Sequence, residues 1–123
     1  MSLKIVHVDD EKWLNATGKA MELIYDYERK CIAMGILAVR PGERLPSTSY
    51  SVHEQSDEFA IVIEGELFFG TDREEKLIVQ GDIVYNKRGT PHYVQNRATK
   101  LAKVIWLFLH RYDAALYPAK CTN

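Results

Sequence analysis

The sequence has no apolar run long enough to cross a membrane and no apolar signal-peptide core near its N-terminus, so a cytoplasmic protein is the expectation. Surplus charge is missing too. The chain carries 16 Lys and Arg against 17 Asp and Glu, a formal net charge of -1 with a pI near 6.4. With no basic field it is not expected to hold nucleic acid through phosphates, and with no polybasic patch it is not expected to lie on an anionic membrane. Cysteine is scarce. Cys31 sits in an apolar run and reads as a small core residue, while Cys121 lies near the C-terminus. Their spacing is not that of metal ligands and suggests no disulfide, and in the cytoplasm such thiols stay reduced. Long amphipathic helices, repeats, linkers and low-complexity segments are also lacking.

What is present is a succession of short β-leaning runs, with turn residues about every ten positions. Residues 3–8 read as a strand, and Asp9-Asp10 as the cap of a short helical turn through Trp13 and Leu14. Residues 21–27 and 31–39 form a hairpin across Glu28-Arg29-Lys30, and Arg40-Pro41-Gly42-Glu43 is a stop. Residues 45–51 read as a loop or bent edge strand. A second hairpin is expected from 60–63 and 67–70, with Gly65 supplying the positive φ of its turn. Further strands follow at 76–79, 83–85, 92–95 and 102–110. The run 104–109 is apolar on both parities and is expected to be buried on both faces. About nine strands and little helix make an all-β sandwich or barrel. The length suits one domain over 1–123: an N-terminal strand and turn to residue 18, a barrel core over about 19–110, and a tail over 111–123 with one helical turn ended by Pro118.

Three side chains carry the chemistry: His53, Glu58 and His92. Two imidazoles and a carboxylate suit a first-row divalent metal, with coordination positions left open. His53 and Glu58 are five residues apart, so a straight strand would point them to opposite faces. They converge only if residues 54–57 form a loop or bulge, which their polar composition permits. A histidine near a turn is otherwise usually a solvated residue, and Glu58 otherwise one more acid among Glu54 and Asp57.

Residues 42–65 and 81–96 resemble the two motifs of the cupin superfamily, specifically its small single-domain conserved-barrel type. His53 matches the second histidine of the first motif, Glu58 its glutamate and Gly65 its final glycine. Gly81, Gly89, His92 and Asn96 match the second motif in register. Two positions depart: Ser51 stands where the first histidine would be, and Lys87 where a proline would be. The resemblance implies a jelly-roll β-barrel with a central cavity and a divalent ion (Fe, Mn, Ni or Zn) held by His53, Glu58 and His92. Ser51 is a poor substitute ligand but could bond a metal-bound water. Three protein ligands suffice for a catalytic metal, at lower affinity than four. On that model Tyr50, Phe69, Tyr85, Tyr93, Trp106 and Phe108 are candidates to line the cavity. Asn96 faces inward or caps its strand, Lys87 points to solvent, and His110 approaches the pocket mouth or lies at the surface. Ile5, Trp13 and Leu14 would cover an edge or meet a partner. Small cupins are commonly homodimers, and residues 3–8 could pair across that interface.

The resemblance implies dioxygenase, isomerase or lyase chemistry on a small polar organic molecule, and the fold does not choose among them. A different class of reading is a non-catalytic barrel that senses or carries a small molecule, metal-free if the Ser51 replacement has cost the ion.

Overall fold

The computed structural model describes residues 3–111, and two antiparallel sheets account for most of them. The tail over 112–123, with its expected helical turn and Cys121, lies outside the described residues. Residues 3–8, expected as a strand, take no regular structure. Among the described residues no strand lies beside them to accept their ladder bonds, and Leu3 and Ile5 are among the most exposed apolar side chains. The short helix is as expected: α1 (Asp10–Asn15) is capped by Asp9, whose carboxylate accepts from the Lys12 N–H at 2.9 Å. Its end is tied to the barrel, because Ala38 donates to the Ala16 carbonyl and Gly18 donates to that of Ala38. Trp13 lies under the Lys103 ammonium, and Leu14 remains exposed.

The first hairpin forms from β1 (Met21–Tyr25) and β2 (Ile32–Val39). Cys31, just before β2, is buried in the core as read from the sequence, but it is disulfide-bonded where a reduced thiol was expected. The chain then makes β3 (Arg44–Leu45), β4 (Ser56–Glu64), β5 (Glu66–Thr71), β6 (Glu75–Val79), β7 (Ile83–Asn86), β8 (His92–Gln95) and β9 (Ala102–His110). Five strands pair in the order β1-β2-β9-β4-β7 and four in the order β3-β8-β5-β6.

The expected hairpin across Gly65 is not formed. β4 belongs to the five-stranded sheet and β5 to the four-stranded one, so Gly65 turns the chain from one sheet to the other. It does so at φ +80, and a Cβ there would lie 2.9 Å from the Leu101 carbonyl oxygen. β4 also starts at Ser56, earlier than expected. Its polar first residues are satisfied within the protein: Ser56 Oγ bonds His110 Nδ1, and Asp57 accepts from the Arg88 N–H and from Arg111 Nε.

Alternation along the strands places Val39, Ala60, Leu67, Ala102 and Val104 in the core between the sheets. Trp106 reaches inward over Gly35 and donates from Nε1 to the Ile36 carbonyl at 3.0 Å. A Cβ on Gly35 would sit 2.4 Å from that indole ring, so the glycine makes room for the tryptophan. β9 is buried on its inner side only. Ile105 and Leu107, expected to be covered, are partly exposed on the outer side.

The two outer faces are built differently. On the four-stranded sheet Arg44 lies 4.1 Å over the Tyr93 ring, Tyr93 donates to Glu75, and Glu75 takes a two-pronged bond from Arg97. On the five-stranded sheet the register aligns Tyr85, Phe59, Leu107, Met34 and Ile24 in one row across all the strands. A neighbouring row joins Ile83, Ile61, Ile105, Ile36 and Met21. Neither row holds a charge.

Candidate metal centre

His53, Glu58 and His92 come together, with one potential ligand atom from each lying within 4.8 Å of the others. They arrive from separate elements. His53 precedes a turn at Glu54 and Gln55, and this turn resolves the odd spacing between His53 and Glu58. Only Glu58 is on the strand proper, while His53 approaches from the loop before it. The His53 carbonyl accepts from the Gly89 N–H at 2.8 Å, which ties this loop to the turn before β8. His92 opens β8, and its backbone exchanges two 2.9 Å bonds with Ser51. Ser51 thus stands directly across from His92, in the cavity wall.

The orientation of His92 is set from behind. Its Nδ1 lies 2.9 Å from the Thr90 carbonyl and 3.0 Å from the Asn86 amide. A proton on Nδ1 goes to Thr90, which leaves the Nε2 lone pair facing Glu58 Oε1 at 3.4 Å. Phe69 stacks parallel to the imidazole, with ring centroids 5.7 Å apart. His53 is wedged between His92 and Phe108.

Burial governs the protonation of the cluster. It pushes the Glu58 carboxyl up to about 7, against a hydrogen bond from Asn86 that pulls it down. Burial likewise lowers His92, opposed by the Thr90 carbonyl, and lowers His53, assisted by the charges of His92 and His110. The imidazoles are therefore held neutral, as metal ligands must be. Glu58 Oε1 is buried and has no hydrogen-bond partner among the described residues. Such an oxygen is costly to leave unpaired, and a cation between it and the two imidazole nitrogens would satisfy it. The donor set and the orphaned oxygen both fit a divalent metal.

The cluster opens into a cavity of about 340 Å³ between the sheets. Ser51, Trp106, Phe69 and Phe108 line it. Tyr50, Tyr85 and Tyr93 are not among its lining residues. The Tyr50 and Tyr93 rings meet at a tilt near Arg44, and Tyr85 packs at a tilt on Phe59 on the opposite outer face. Asn96 faces inward, but as a clamp: its amide donates to the carbonyls of Val39 and Lys100. Lys87 is exposed, and His110 is half-buried against Ser56.

Sequence reasoning missed Asn86, which touches both Glu58 and His92. Extending the strand read at 83–85 by one residue would have placed it on the inner parity with Val84. It also missed Lys19, which lines the cavity beside Gly18 and Ala20 just before β1. No sequence signal marks that position.

A sequence profile described as a cupin domain matches residues 35–108. No curated protein matches the chain. Among solved structures, a cupin 2 conserved barrel domain protein from Salinispora arenicola is 21% identical, with a TM-score of 0.69 over 96% of this chain and 95% of that one. A sugar phosphate isomerase of the cupin superfamily from Silicibacter pomeroyi is 26% identical, with a TM-score of 0.57 over 65% of this chain. The match spans about half of that isomerase (51%). The cupin domain of an XRE family transcriptional regulator from Enterobacter cloacae is 21% identical, with a TM-score of 0.66 over 76% of this chain and 96% of that one.

Proposed function

The chain belongs to the cupin domain family, and from that premise we propose that it binds a divalent metal through His53, Glu58 and His92 and uses it to act on a small oxygen-bearing molecule in the barrel. The observation that carries this reading is the buried, unpartnered Glu58 Oε1 beside two imidazoles held neutral. Bound there, a divalent ion would supply a Lewis-acid charge, or redox chemistry if it is iron. The chain's residues supply the rest. Thr90 aims His92, Asn86 donates to Glu58, Gly89 holds the His53 loop, and the apolar wall keeps water from the ligand. With three protein ligands, open positions remain for a substrate oxygen. Isomerase, lyase and dioxygenase chemistries are all compatible with that arrangement.

A second reading is a sensing or carrier barrel without turnover. It is favoured by Ser51, a neutral hydroxyl in the wall where a fourth ligand would otherwise stand, and by the fold likeness to the regulator's cupin domain. The proposed partner of the outer face of the five-stranded sheet is a second copy of the chain. A two-fold contact sets the same patch of each copy against the other, and the two uncharged rows can meet their copies without burying a charge. Nothing in the charge balance supports a nucleic-acid partner, and no helix among the described residues is long and apolar enough to cross a membrane.

Elemental analysis tests the metal. Untagged protein should carry near-stoichiometric divalent metal that the His53→Ala/His92→Ala double variant lacks. If the wild type remains empty after incubation with Fe²⁺, Mn²⁺, Ni²⁺ and Zn²⁺, the metal reading fails and the carrier reading stands.

A further inference from the structure

We propose that the ligand of this cavity is a small organic acid with a chelating oxygen head and an apolar body, of the class of branched-chain or aromatic 2-oxo acids. The proposal rests on the metal reading and narrows it to a ligand class.

Polarity is distributed unevenly along the cavity wall. Ser51, Glu58, His53 and His92 form one polar end. The wall then continues along the strands as Val94, Leu45, Ile78 and Leu67, with Val104 and Leu37 contributed by the other sheet. His92 pairs with Thr71, and Leu67 lies four residues further along β5. At about 3.4 Å per residue the apolar part runs roughly 14 Å beyond the cluster. A ligand that fills this space presents hydrocarbon to it.

Two other chemistries fit poorly. A sugar phosphate would bury several hydroxyls against leucine, isoleucine and valine with no partners, and unpaired buried hydroxyls weaken binding. Its phosphate would also need a cluster of cations or convergent N–H groups, and among the described residues Lys19 is the one Lys or Arg in the lining. A bare dicarboxylate would satisfy the metal but leave most of the 340 Å³ without contacts. A chelating head is favoured because three protein ligands leave adjacent coordination positions open on a six-coordinate ion.

The test is calorimetric titration of Ni²⁺-loaded protein, its metal content fixed by elemental analysis, with three probes. These are 4-methyl-2-oxopentanoate, pyruvate and ribose 5-phosphate. The first two share a head and differ only in the apolar body. The longer acid should bind on the order of tens of times more tightly, from the burial of its extra carbons, and ribose 5-phosphate should be the weakest. Val94→Thr, which places a hydroxyl in the wall, should reduce the preference for the longer acid over pyruvate. Quenching of Trp106 fluorescence gives a second readout, since the indole lines the cavity. Equal affinities for the two acids, or tighter binding of the sugar phosphate, would overturn the ligand class while leaving the metal centre standing. Failure to take up Ni²⁺ or any other divalent ion would sink both.

Discussion

His92 Nε2 lies 3.4 Å from Glu58 Oε1, and that oxygen has no hydrogen-bond partner among the described residues. The distance is long for a hydrogen bond, and Nε2 carries a lone pair when Nδ1 is the protonated nitrogen. Once Glu58 is ionised, two acceptors thus face each other inside the barrel, in an arrangement that suits a third, positive party better than it suits the pair alone.

The cost of that arrangement should be measurable in the metal-free protein. Glu58 has a folded pKa of about 7, above its ordinary value of 4.5, because burial disfavours the charge. A raised pKa means that the folded state holds the proton more tightly than the unfolded one. Its contribution is fully present below pH 4.5 and is lost as pH rises towards and through 7. Glu58→Gln removes this dependence, so the variant should be more stable than metal-free wild type at pH 8 by about 1–3 kcal/mol. At pH 4.5 the two should be nearly equal. The histidines act in the opposite sense, since their lowered pKa values cost stability as pH falls below 6.5, but they do so in both proteins and cancel in the comparison. Urea titrations at the two pH values check it. A glutamine variant less stable at pH 8 would mean that the charged carboxylate has a partner after all.

Metal uptake should follow the same proton. The histidines are already held neutral by burial, so the group that must lose a proton near neutrality is Glu58. Apparent affinity should be flat above about pH 7.5 and fall roughly tenfold per pH unit between 7 and 6. Titration with Zn²⁺ in a competing chelator measures it. A slope of twofold or threefold that steepness would show the imidazoles releasing protons too.

Asn86 reaches both members of the pair, and its substitution should be felt at both. In Asn86→Ala the carboxyl of Glu58 loses the bond that lowers its pKa, so its titration moves further upward. His92 loses a neighbour 3.0 Å from Nδ1. Metal affinity should fall about 10–100-fold, the usual effect of removing an outer partner of a ligand. The circular dichroism spectrum should be unchanged, because Asn86 ends an edge strand. Unaltered affinity would make Asn86 a spectator.

The candidate cluster was legible in the sequence because its residues sit in two compact motifs, His53 to Gly65 and Gly81 to Asn96, with turns at positions only glycine fills easily. The strands were legible where turn residues bracket them, as at residues 76–79 and 92–95. What failed depends on information that local sequence does not carry. The turn at Gly65 is visible, but which sheet the following strand joins is decided by β8 and β6, far from the turn. Ser56 and Asp57 read as loop because they are polar, yet their partners His110, Arg88 and Arg111 come from elsewhere in the chain. Tyr50, Tyr85 and Tyr93 read as cavity aromatics because an aromatic in a strand has no address until the register fixes its face.

The outer face of the five-stranded sheet gives the last prediction. Ile83 is 71% exposed and Tyr85 56%, both on edge strand β7, beside Phe59 and Ile61 on β4. A row of uncharged side chains across five strands loses solvation on no charged group when covered, and each large side chain buried contributes about 1.5–3 kcal/mol. The opposite outer face shows what a solvent-facing version looks like, with Arg44, Glu75 and Arg97 bonded over the aromatic rings. Light scattering after size exclusion should therefore give twice the chain mass for the wild type. Ile83→Lys on each copy would place two ammonium groups in the contact, and should shift the protein to monomer at micromolar concentration with the metal content intact. Arg97→Ala, on the other outer face, should leave the mass unchanged. If the wild type is monomeric, or if Ile83→Lys stays dimeric while Arg97→Ala dissociates, the pairing surface is not this one.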